Sequence, residues 1–181
     1  MEPVLVRPAR RDDCPAILAI YNEAVLTTTA SYDVEPWTLE RRLEWFDDHT
    51  TSGFGIFIAE EGNRAVGWSS LSRFHNRHAY RHTAEVSVYV AGNRRGLGIG
   101  TLLLPPLLES ARARNLHTLI AAIDGSNEAS LRLHARFGFQ QVGHFREVGH
   151  KFGRWLDVVY LQRFLAPTSA SSGLDSPRTE A

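Results

Sequence analysis

The most regular pattern of hydrophobic and polar positions lies between Thr83 and Val90, where strict alternation predicts a β-strand. One face of this strand holds only valines: Val86, Val88 and Val90. The other face holds side chains with functional groups: Glu85, Ser87 and Tyr89. A glycine-rich turn follows, and an apolar segment from about Gly100 to Arg114 then predicts a helix. We expect the strand and the turn to form the centre of a functional site.

The rest of the chain predicts a mixed α+β fold. Helical spacing of apolar residues predicts further helices over residues 12–25, 37–49 and 127–137, with an Asp at 12 or 13 and then Thr38 as N-caps. Apolar or alternating runs predict strands at residues 5–7, 54–59, 65–72, 119–123, 139–148 and 155–164. The predicted order is β-α-α-β-β-β-α-β-α-β-β, with one parallel crossover around the helix at 100–114. We therefore expect a central, mostly antiparallel sheet of about seven strands flanked by helices.

Length and composition narrow the class of protein. The 181 residues suit one domain, which we place at residues 1–165, and 43% of them are hydrophobic, enough for a full core. The formal net charge is zero, which argues against general binding to nucleic acid or to membrane surfaces. With a single cysteine, Cys14, and no long apolar run, the chain is expected to be a soluble cytoplasmic protein. Residues 166–181 are rich in Ser, Thr, Pro and Gly and are predicted to be a disordered tail.

The turn after the strand has the composition of a phosphate-binding loop. Gly96, Gly98 and Gly100 recur at every second position and leave the backbone N–H groups without covering side chains. The N-terminus of the following helix adds unpaired donors and a partial positive charge, and Arg94 and Arg95 add charge at the rim. The spacing differs from a Walker loop, which needs a Lys, and from the dinucleotide fingerprint G-x-G-x-x-G. A glycine-rich turn without a ligand is the alternative.

The spacing R-x-x-G-x-G, which begins at Arg95, resembles the acetyl-CoA loop of the GNAT N-acetyltransferases. A second segment, residues 127–139, is similar to another GNAT signature, in which an Asn, a helix and an aromatic residue precede Leu-Gly-Phe. Longer blocks at residues 20–30, 80–90 and 148–157 resemble one branch of that family, the phosphinothricin and methionine sulfoximine acetyltransferases. The resemblance covers about residues 4–165, and it implies the GNAT fold and acetyl-CoA as the co-substrate.

The strand and the resemblance together define candidate contacts for acetyl-CoA. A carrier on the glycine loop would run back along the strand, so that its pantetheine amides pair with the backbone around residues 88–90. In the GNAT family the Asn that matches Asn127 contacts the pantetheine arm, and the small residue that matches Ser130 contacts the carrier. The predicted cofactor-binding residues are Val88, Tyr89, Val90, Arg95, Gly96, Leu97, Gly98, Ile99, Gly100, Thr101, Asn127 and Ser130.

Two residues are candidates for proton transfer. Acetyl transfer to an amine needs a base that removes a proton from the ammonium group, and Glu85 is placed to do so, with a pKa that burial would raise. The alternative for Glu85 is a structural ion pair with an Arg. His134 stands where many GNAT members have a Tyr that protonates the leaving thiolate. It either donates a proton, orients a neighbour or packs against the sheet.

The segment before the strand, residues 73–81, is basic and aromatic, which suits an acceptor with a carboxylate or phosphinate group. Arg77 and Arg81 are the first choices to bind that group, with a solvated loop as the alternative, and Tyr32 and Trp37 are candidate walls. We expect no metal site, because no Cys or nearby carboxylate completes a ligand set with the histidines of this region. The predicted substrate-binding residues are His75, Asn76, Arg77, Tyr80, Arg81, Glu85, Val86 and Ser87.

The resemblance to this branch implies an enzyme that acetylates the α-amino group of a small amino acid or analogue, by direct transfer from acetyl-CoA with Glu85 as the base. The branch is typically dimeric, so we expect a homodimer, with residues 149–157 as a hairpin turn at the dimer edge, and neither a nucleic-acid nor a membrane partner. Two alternatives stay open. One is acetylation of a protein N-terminus or another amine, and the other is a non-catalytic acyl-CoA sensor.

Overall fold

The computed structural model describes residues 2–165, so the predicted tail at residues 166–181 lies outside the described part. The helices are α1 (Cys14–Thr27), α2 (Leu39–Thr51), α3 (Ile99–Ala113) and α4 (Glu128–Arg136). The strands are β1 (Val4–Pro8), β2 (Ile56–Glu61), β3 (Arg64–Arg73), β4 (Thr83–Val90), β5 (Thr118–Asp124), β6 (Gln140–Lys151) and β7 (Arg154–Phe164). This arrangement confirms the predicted mixed α+β fold.

The seven strands form one sheet in the order β1-β2-β3-β4-β5-β7-β6. Within this sheet β4 and β5 are the parallel neighbours, and α3 makes the crossover between them. Their pairing spans Thr83, Ala84 and Glu85 and ends where Glu85 faces Ile120. Beyond that point β4 pairs with β3 and β5 pairs with β7, but β4 and β5 no longer pair with each other. The two strands therefore diverge in the middle of the sheet.

Helices cover both faces of the sheet. The buried side chains of α1 and α2 pack with β2 and β3 on one face, around Trp68. On the other face α3 packs against β3, β4, β5 and β7, with α4 beside it. The alternation along β4 follows this division, because Val86 faces α3 whereas Tyr89 faces α1. None of the helices within residues 2–165 combines the length and the hydropathy that crossing a membrane requires.

The two predicted helix caps have different outcomes. Thr38 caps α2 as predicted, since its hydroxyl accepts a hydrogen bond from the backbone N–H of Arg41 at 3.3 Å. The Asp cap predicted for α1 is wrong, because Asp13 at the N-cap position makes no capping bond. Its carboxylate instead accepts two hydrogen bonds from the guanidinium of Arg7, at 2.7 and 2.9 Å, and one from the backbone N–H of Arg10. Both carboxylate oxygens of Asp13 are thus engaged by Arg7 and Arg10 instead of by the first turn of α1.

Arg42 lies in the core between α2 and the sheet and is 1% exposed. Its guanidinium carbon lies 4.4 to 5.4 Å from the ring centres of four aromatic residues: Tyr21, Trp37, Trp45 and Trp68. Nε and Nη2 have no hydrogen-bond partner among the described residues, and burial lowers the pKa of the group to about 10. Cation–π contacts thus hold a cation that has no carboxylate partner within residues 2–165.

We expect Arg42→Ala to lower the free energy of unfolding by about 3 kcal/mol, because it empties a large space in the core. Arg42→Met fills most of that space and removes the cost of burying the charge, so its expected loss is below about 1 kcal/mol. Urea denaturation of the two variants measures the difference. Equal losses would show that the cation–π contacts, rather than the filled volume, stabilise this part of the core.

Candidate active site

The divergence of β4 and β5 opens a wedge in the sheet that begins at Glu85. From residue 86 to residue 90, the edge of β4 that faces β5 has no strand partner within the described structure. An extended chain that carries amide groups fits such an edge, because it can complete the missing hydrogen bonds. This is the geometry that the predicted pantetheine contacts at residues 88–90 require.

The glycine-rich turn leads from β4 to the N-terminus of α3. Gly96 and Gly98 have φ angles of +78° and +81°, a left-handed conformation that favours glycine. A Cβ at either position would meet no protein atom within 4 Å, so both residues border open space. That space is a cavity of about 540 Å³ in front of the first turn of α3. The backbone N–H of Thr101 donates to the carbonyl oxygen of Gly98 at 2.9 Å, and the first N–H groups of a helix in general lack a carbonyl partner four residues back, which suits an anion site.

Position 100 is occupied by glycine for a different structural reason. A Cβ at this position would lie 2.7 Å from a methyl carbon of Leu133, so the glycine lets α4 pack closely against α3. Gly100 also lines the 540 Å³ cavity. The predicted cofactor-binding residues that line this cavity are Val88, Tyr89, Val90, Arg95, Gly96, Gly98, Ile99, Gly100, Thr101, Asn127 and Ser130, and Leu97 is absent from its lining.

The two arginines at the rim of the loop are held by protein groups. Arg94 forms an ion pair with Glu61. Arg95 donates from Nε to the carbonyl of Val90 at 3.2 Å, and its Nη2 lies 4.0 Å from a carboxylate oxygen of Glu23. The expected free positive charge is therefore partly neutralised, which the sequence alone did not reveal because both acids lie far away in the chain.

Two arginines of α4, Arg132 and Arg136, also line the cavity and were missed by the sequence analysis. They lie four residues apart and therefore on one side of the helix. This spacing was the available signal. Arg132 is itself paired with Glu128 at 2.7 Å.

Glu23 of α1 fixes the start of the turn. Its two carboxylate oxygens accept the backbone N–H of Gly92 at 3.0 and 3.1 Å. A Cβ at Gly92 would collide with that carboxylate, so the close approach needs glycine. Glu23 lies beside the predicted phosphate site, where its negative charge by itself would repel a bound phosphate.

We expect Glu23→Ala to weaken acetyl-CoA binding by about tenfold, because it frees the first residue of the turn. Glu23→Gln keeps one acceptor for the N–H of Gly92 and removes the negative charge, so we expect its affinity to equal or exceed that of the wild type. Isothermal titration calorimetry with acetyl-CoA distinguishes the two effects. Tighter binding by the Ala variant would show that the charge, and not the hydrogen bond, governs this position.

A second cavity, of about 310 Å³ and here called the Glu85 cavity, adjoins the first. Both predicted catalytic residues, Glu85 and His134, line it. Its other polar lining residues are Thr29, Ser31, Tyr32, Ser87, Tyr89, Asp124, Asn127, Ser130 and Tyr160. Glu85 is half-buried, and burial raises the pKa of its carboxyl group. Within residues 2–165 its carboxylate takes part in no ion pair, so the described contacts do not support the structural alternative.

His134 is 3% exposed, and its ring stands edge-on to Phe139 at 5.2 Å. Nδ1 lies 2.9 Å from the carbonyl oxygen of Ser130, which can only accept, so Nδ1 carries the proton. Burial lowers the pKa of the ring, which is therefore neutral near pH 7. Nε2 is a bare acceptor with no partner in the described part of the chain. In this state His134 accepts a proton or a hydrogen bond and does not donate one from Nε2.

The predicted acceptor segment lies elsewhere. His75, Asn76, Arg77, Tyr80 and Arg81 line a separate cavity of about 300 Å³ that shares no lining residue with the Glu85 cavity. The described lining of the Glu85 cavity includes no Lys or Arg. The segment leaves the sheet at the end of β3, and Tyr80 packs on Phe74 and His75. A carboxylate-binding role for Arg77 and Arg81 stays a prediction that this geometry does not support.

Asp124 and Tyr160 are cavity residues that the sequence analysis missed, whereas Tyr32 lines the cavity as predicted. Asp124 is buried at the end of β5, where it accepts from the Tyr32 hydroxyl at 3.3 Å and from the backbone N–H of Ser126 at 2.8 Å. An acid at the end of an apolar strand was the available signal.

Trp37, the other predicted wall residue, packs against Tyr21 and is absent from the lining of the Glu85 cavity. The described residues contain no cluster of three or more metal-ligating side chains.

The sequence of the chain matches the Acetyltransferase (GNAT) family over residues 17–139. It is 42% identical over 167 residues to the L-methionine sulfoximine/L-methionine sulfone acetyltransferase of Pseudomonas aeruginosa, an alignment that covers 92% of this chain and 97% of that protein.

Two solved structures extend the comparison. A ribosomal-protein-alanine N-acetyltransferase from Brucella melitensis superposes with a TM-score of 0.86 and 45% identity, covering 89% of this chain and 99% of that one. A phosphinothricin acetyltransferase from Sinorhizobium meliloti, solved in complex with AcCoA, has a TM-score of 0.88 and 34% identity, covering 95% of this chain and 94% of that one.

The wedge, the glycine turn and these relatives define the protein as an acetyltransferase. It belongs to the GNAT family, which confirms the resemblance seen in the sequence.

Proposed function

We propose that this enzyme transfers the acetyl group of acetyl-CoA to the α-amino group of a small amino acid or analogue of the methionine sulfoximine, methionine sulfone or phosphinothricin type. Its similarity to a methionine sulfoximine/sulfone acetyltransferase over 97% of that protein supports the acceptor class. The observation that carries the proposal is the position of Glu85, without an ion pair in the described structure, at the point where β4 and β5 separate.

The 540 Å³ cavity suits the carrier. The pyrophosphate would lie on the N–H groups at the start of α3, and the pantetheine arm would enter the wedge along residues 88–90 of β4. The thioester would then lie near Glu85 and Ser87, where the two cavities meet. Relatives solved with acetyl-CoA support this choice of carrier.

The 310 Å³ cavity suits a small amine. Its described lining carries the carboxyl groups of Glu85 and Asp124 and no Lys or Arg, so it favours an acceptor that arrives as an ammonium ion. Glu85 would take one proton from that ion, and the raised pKa of the carboxyl makes it a better base near neutral pH. The bare Nε2 of His134 offers a second acceptor.

The amine nitrogen would then form its bond to the thioester carbon as the carbon–sulfur bond breaks. The departing thiolate takes up the second proton, which the nitrogen loses as it becomes an amide. Direct transfer requires no acyl-enzyme. The sole cysteine supports this, because Cys14 is buried in the α1–α2 face of the core and lines neither cavity. A protein N-terminus is the alternative acceptor, since one similar structure is a ribosomal-protein-alanine N-acetyltransferase.

The test measures CoA thiol release with a panel of acceptors: methionine sulfoximine, methionine sulfone, phosphinothricin and an alanine-terminated peptide. We expect kcat/KM for at least one free amino-acid analogue to exceed the value for the peptide by about 100-fold or more. Preference for the peptide would move the assignment to protein N-termini. Tight acetyl-CoA binding without turnover on any acceptor would favour the sensor alternative.

We also infer that the chain forms a homodimer through the β6–β7 hairpin, at the edge of the sheet. Apolar side chains are exposed along it: Val142, Phe145, Val148, Phe152 and Trp155. Phe152 also has a φ of +52°, an unfavourable conformation for an exposed aromatic residue in a turn. We expect sedimentation equilibrium to give twice the chain mass, and a monomer at micromolar concentration would contradict this inference.

A further inference from the structure

The roof of the Glu85 cavity is the loop of residues 28–33 between α1 and α2, here called the roof loop. Four of its residues line the cavity: Thr29, Ala30, Ser31 and Tyr32. Inside the loop, the backbone N–H of Ala30 donates to Thr28 Oγ1, and that of Asp33 donates to Ser31 Oγ. Two such local bonds do not determine where the loop lies over the cavity, so its position depends on contacts with other elements.

Three contacts tie the roof loop to the β6–β7 hairpin, far away in the sequence. The ammonium group of Lys151 donates to the carbonyl oxygen of Ser31 at 2.6 Å. The hydroxyl of Tyr32 donates to the carbonyl oxygen of Asp157 at 2.9 Å and shares its single proton with the more distant carboxylate of Asp124. The ring of Tyr32 lies directly on Gly149, where a Cβ would come within 2.5 Å of Cε2. The hairpin therefore holds the loop at two successive residues. On the other side Tyr21 of α1 anchors it, with its hydroxyl 3.0 Å from Ser31 Oγ and 2.6 Å from the carboxylate of Asp33.

The burial of the Lys151 ammonium group costs free energy. The residue is 4% exposed, it forms no ion pair with a carboxylate of the described chain, and burial lowers its pKa. An apolar side chain would fill this space without the cost of burying an ammonium group. Two contacts distinguish Lys151 from such a side chain: its hydrogen bond to Ser31 and a cation–π contact with Phe152, whose ring centre lies 5.1 Å from Nζ. Of the two, the hydrogen bond is the one that reaches the roof loop.

We propose that Lys151 is a positioning residue for the acceptor, and that the hairpin sets the height of the roof loop over Glu85. Ser31 and Tyr32 line the Glu85 cavity but not the cavity of the glycine turn. A substitution that loosens Ser31 and Tyr32 should therefore weaken binding of the acceptor much more than binding of acetyl-CoA. The inference rests on the proposed function, because it places the acceptor in the Glu85 cavity.

The kinetic test compares Lys151→Met, which is unbranched, uncharged and one atom shorter, with Lys151→Arg, which keeps the charge. We expect the Met variant to raise KM for the acceptor about tenfold with less than a twofold change in the Kd of acetyl-CoA, and the Arg variant to recover most of this loss. Gly149→Ala displaces Tyr32 from the other side and should also raise the acceptor KM. Arg146→Met removes an exposed charge from the same strand and should leave both constants unchanged.

Hydrogen–deuterium exchange of the full chain tests the same idea without turnover. We expect faster exchange over residues 28–33 in Lys151→Met and unchanged exchange over residues 94–101. This result would support the positioning role even if no tested acceptor were acetylated, which separates it from failure of the proposed function. Unchanged exchange at the roof loop in both Lys151→Met and Gly149→Ala would overturn the inference. Equal losses in acceptor and acetyl-CoA binding would overturn it as well.

Discussion

The Glu85→Gln variant is expected to lose roughly 100-fold or more in kcat while it binds acetyl-CoA as tightly as the wild type. Gln matches Glu in shape, so the wedge between β4 and β5 keeps its geometry, but the amide cannot take a proton from the ammonium ion. Stopped assays of CoA release and calorimetry with acetyl-CoA measure the two quantities. An exposed glutamate of α3 provides the control, and Glu109→Gln should behave as the wild type.

The same variant should be more stable than the wild type at pH 7.5. Burial raises the pKa of Glu85 above its ordinary value of 4.5, so the folded state holds this proton more tightly than the unfolded state. That stabilisation is present below the ordinary pKa and is lost as pH rises through the folded pKa. A neutral Gln avoids the loss, and we expect a rise in Tm of a few degrees. A lower Tm would contradict the inferred cost of burying this carboxylate.

His134→Phe has the second largest expected effect, a fall in kcat of roughly 100-fold with little change in the Kd of acetyl-CoA. Phe keeps the ring and its packing against Phe139 but removes Nε2, the buried acceptor without a partner in the described structure. Steady-state kinetics with circular dichroism as a check on folding measure the effect. Full activity in a folded variant would show that His134 has only a packing role. Loss of acetyl-CoA binding would place its role in the carrier site instead.

Local patterns predicted most of the fold. The alternation from Thr83 to Val90 and the apolar helix after it depend on side chains near in sequence, and the strand occurs with those bounds. The positive φ angles at Gly96 and Gly98 likewise agree with the predicted phosphate turn, since such a turn needs residues without a Cβ.

Features that depend on distant segments could not be predicted. Glu61 and Glu23 reach the arginines of the turn from β2 and α1, and no spacing in the sequence announces these contacts. Asp124 enters the Glu85 cavity because β5 turns away from β4, which is a property of the whole sheet. The segment at residues 73–81 is predicted to bind the acceptor because it is basic, aromatic and directly precedes the strand of Glu85, yet His75, Arg77 and Arg81 line another cavity.

The protonation state of His134 was also beyond the sequence. The residue was predicted as a catalytic candidate, but its role depends on which ring nitrogen carries the proton. The carbonyl of Ser130, one helical turn earlier, makes that choice by accepting from Nδ1. Only the helix geometry and the burial of the ring together define Nε2 as an acceptor.

The most direct test of the central claim, that Glu85 takes the proton from the acceptor amine, is the pH dependence of kcat at saturating acetyl-CoA and acceptor. Under these conditions kcat reports groups of the ternary complex. We expect wild-type kcat to fall on the acid side with an apparent pKa above 4.5, and Glu85→Gln to be slow and to lack this limb. The same acid limb in both proteins would contradict the assignment and leave the proton to another group.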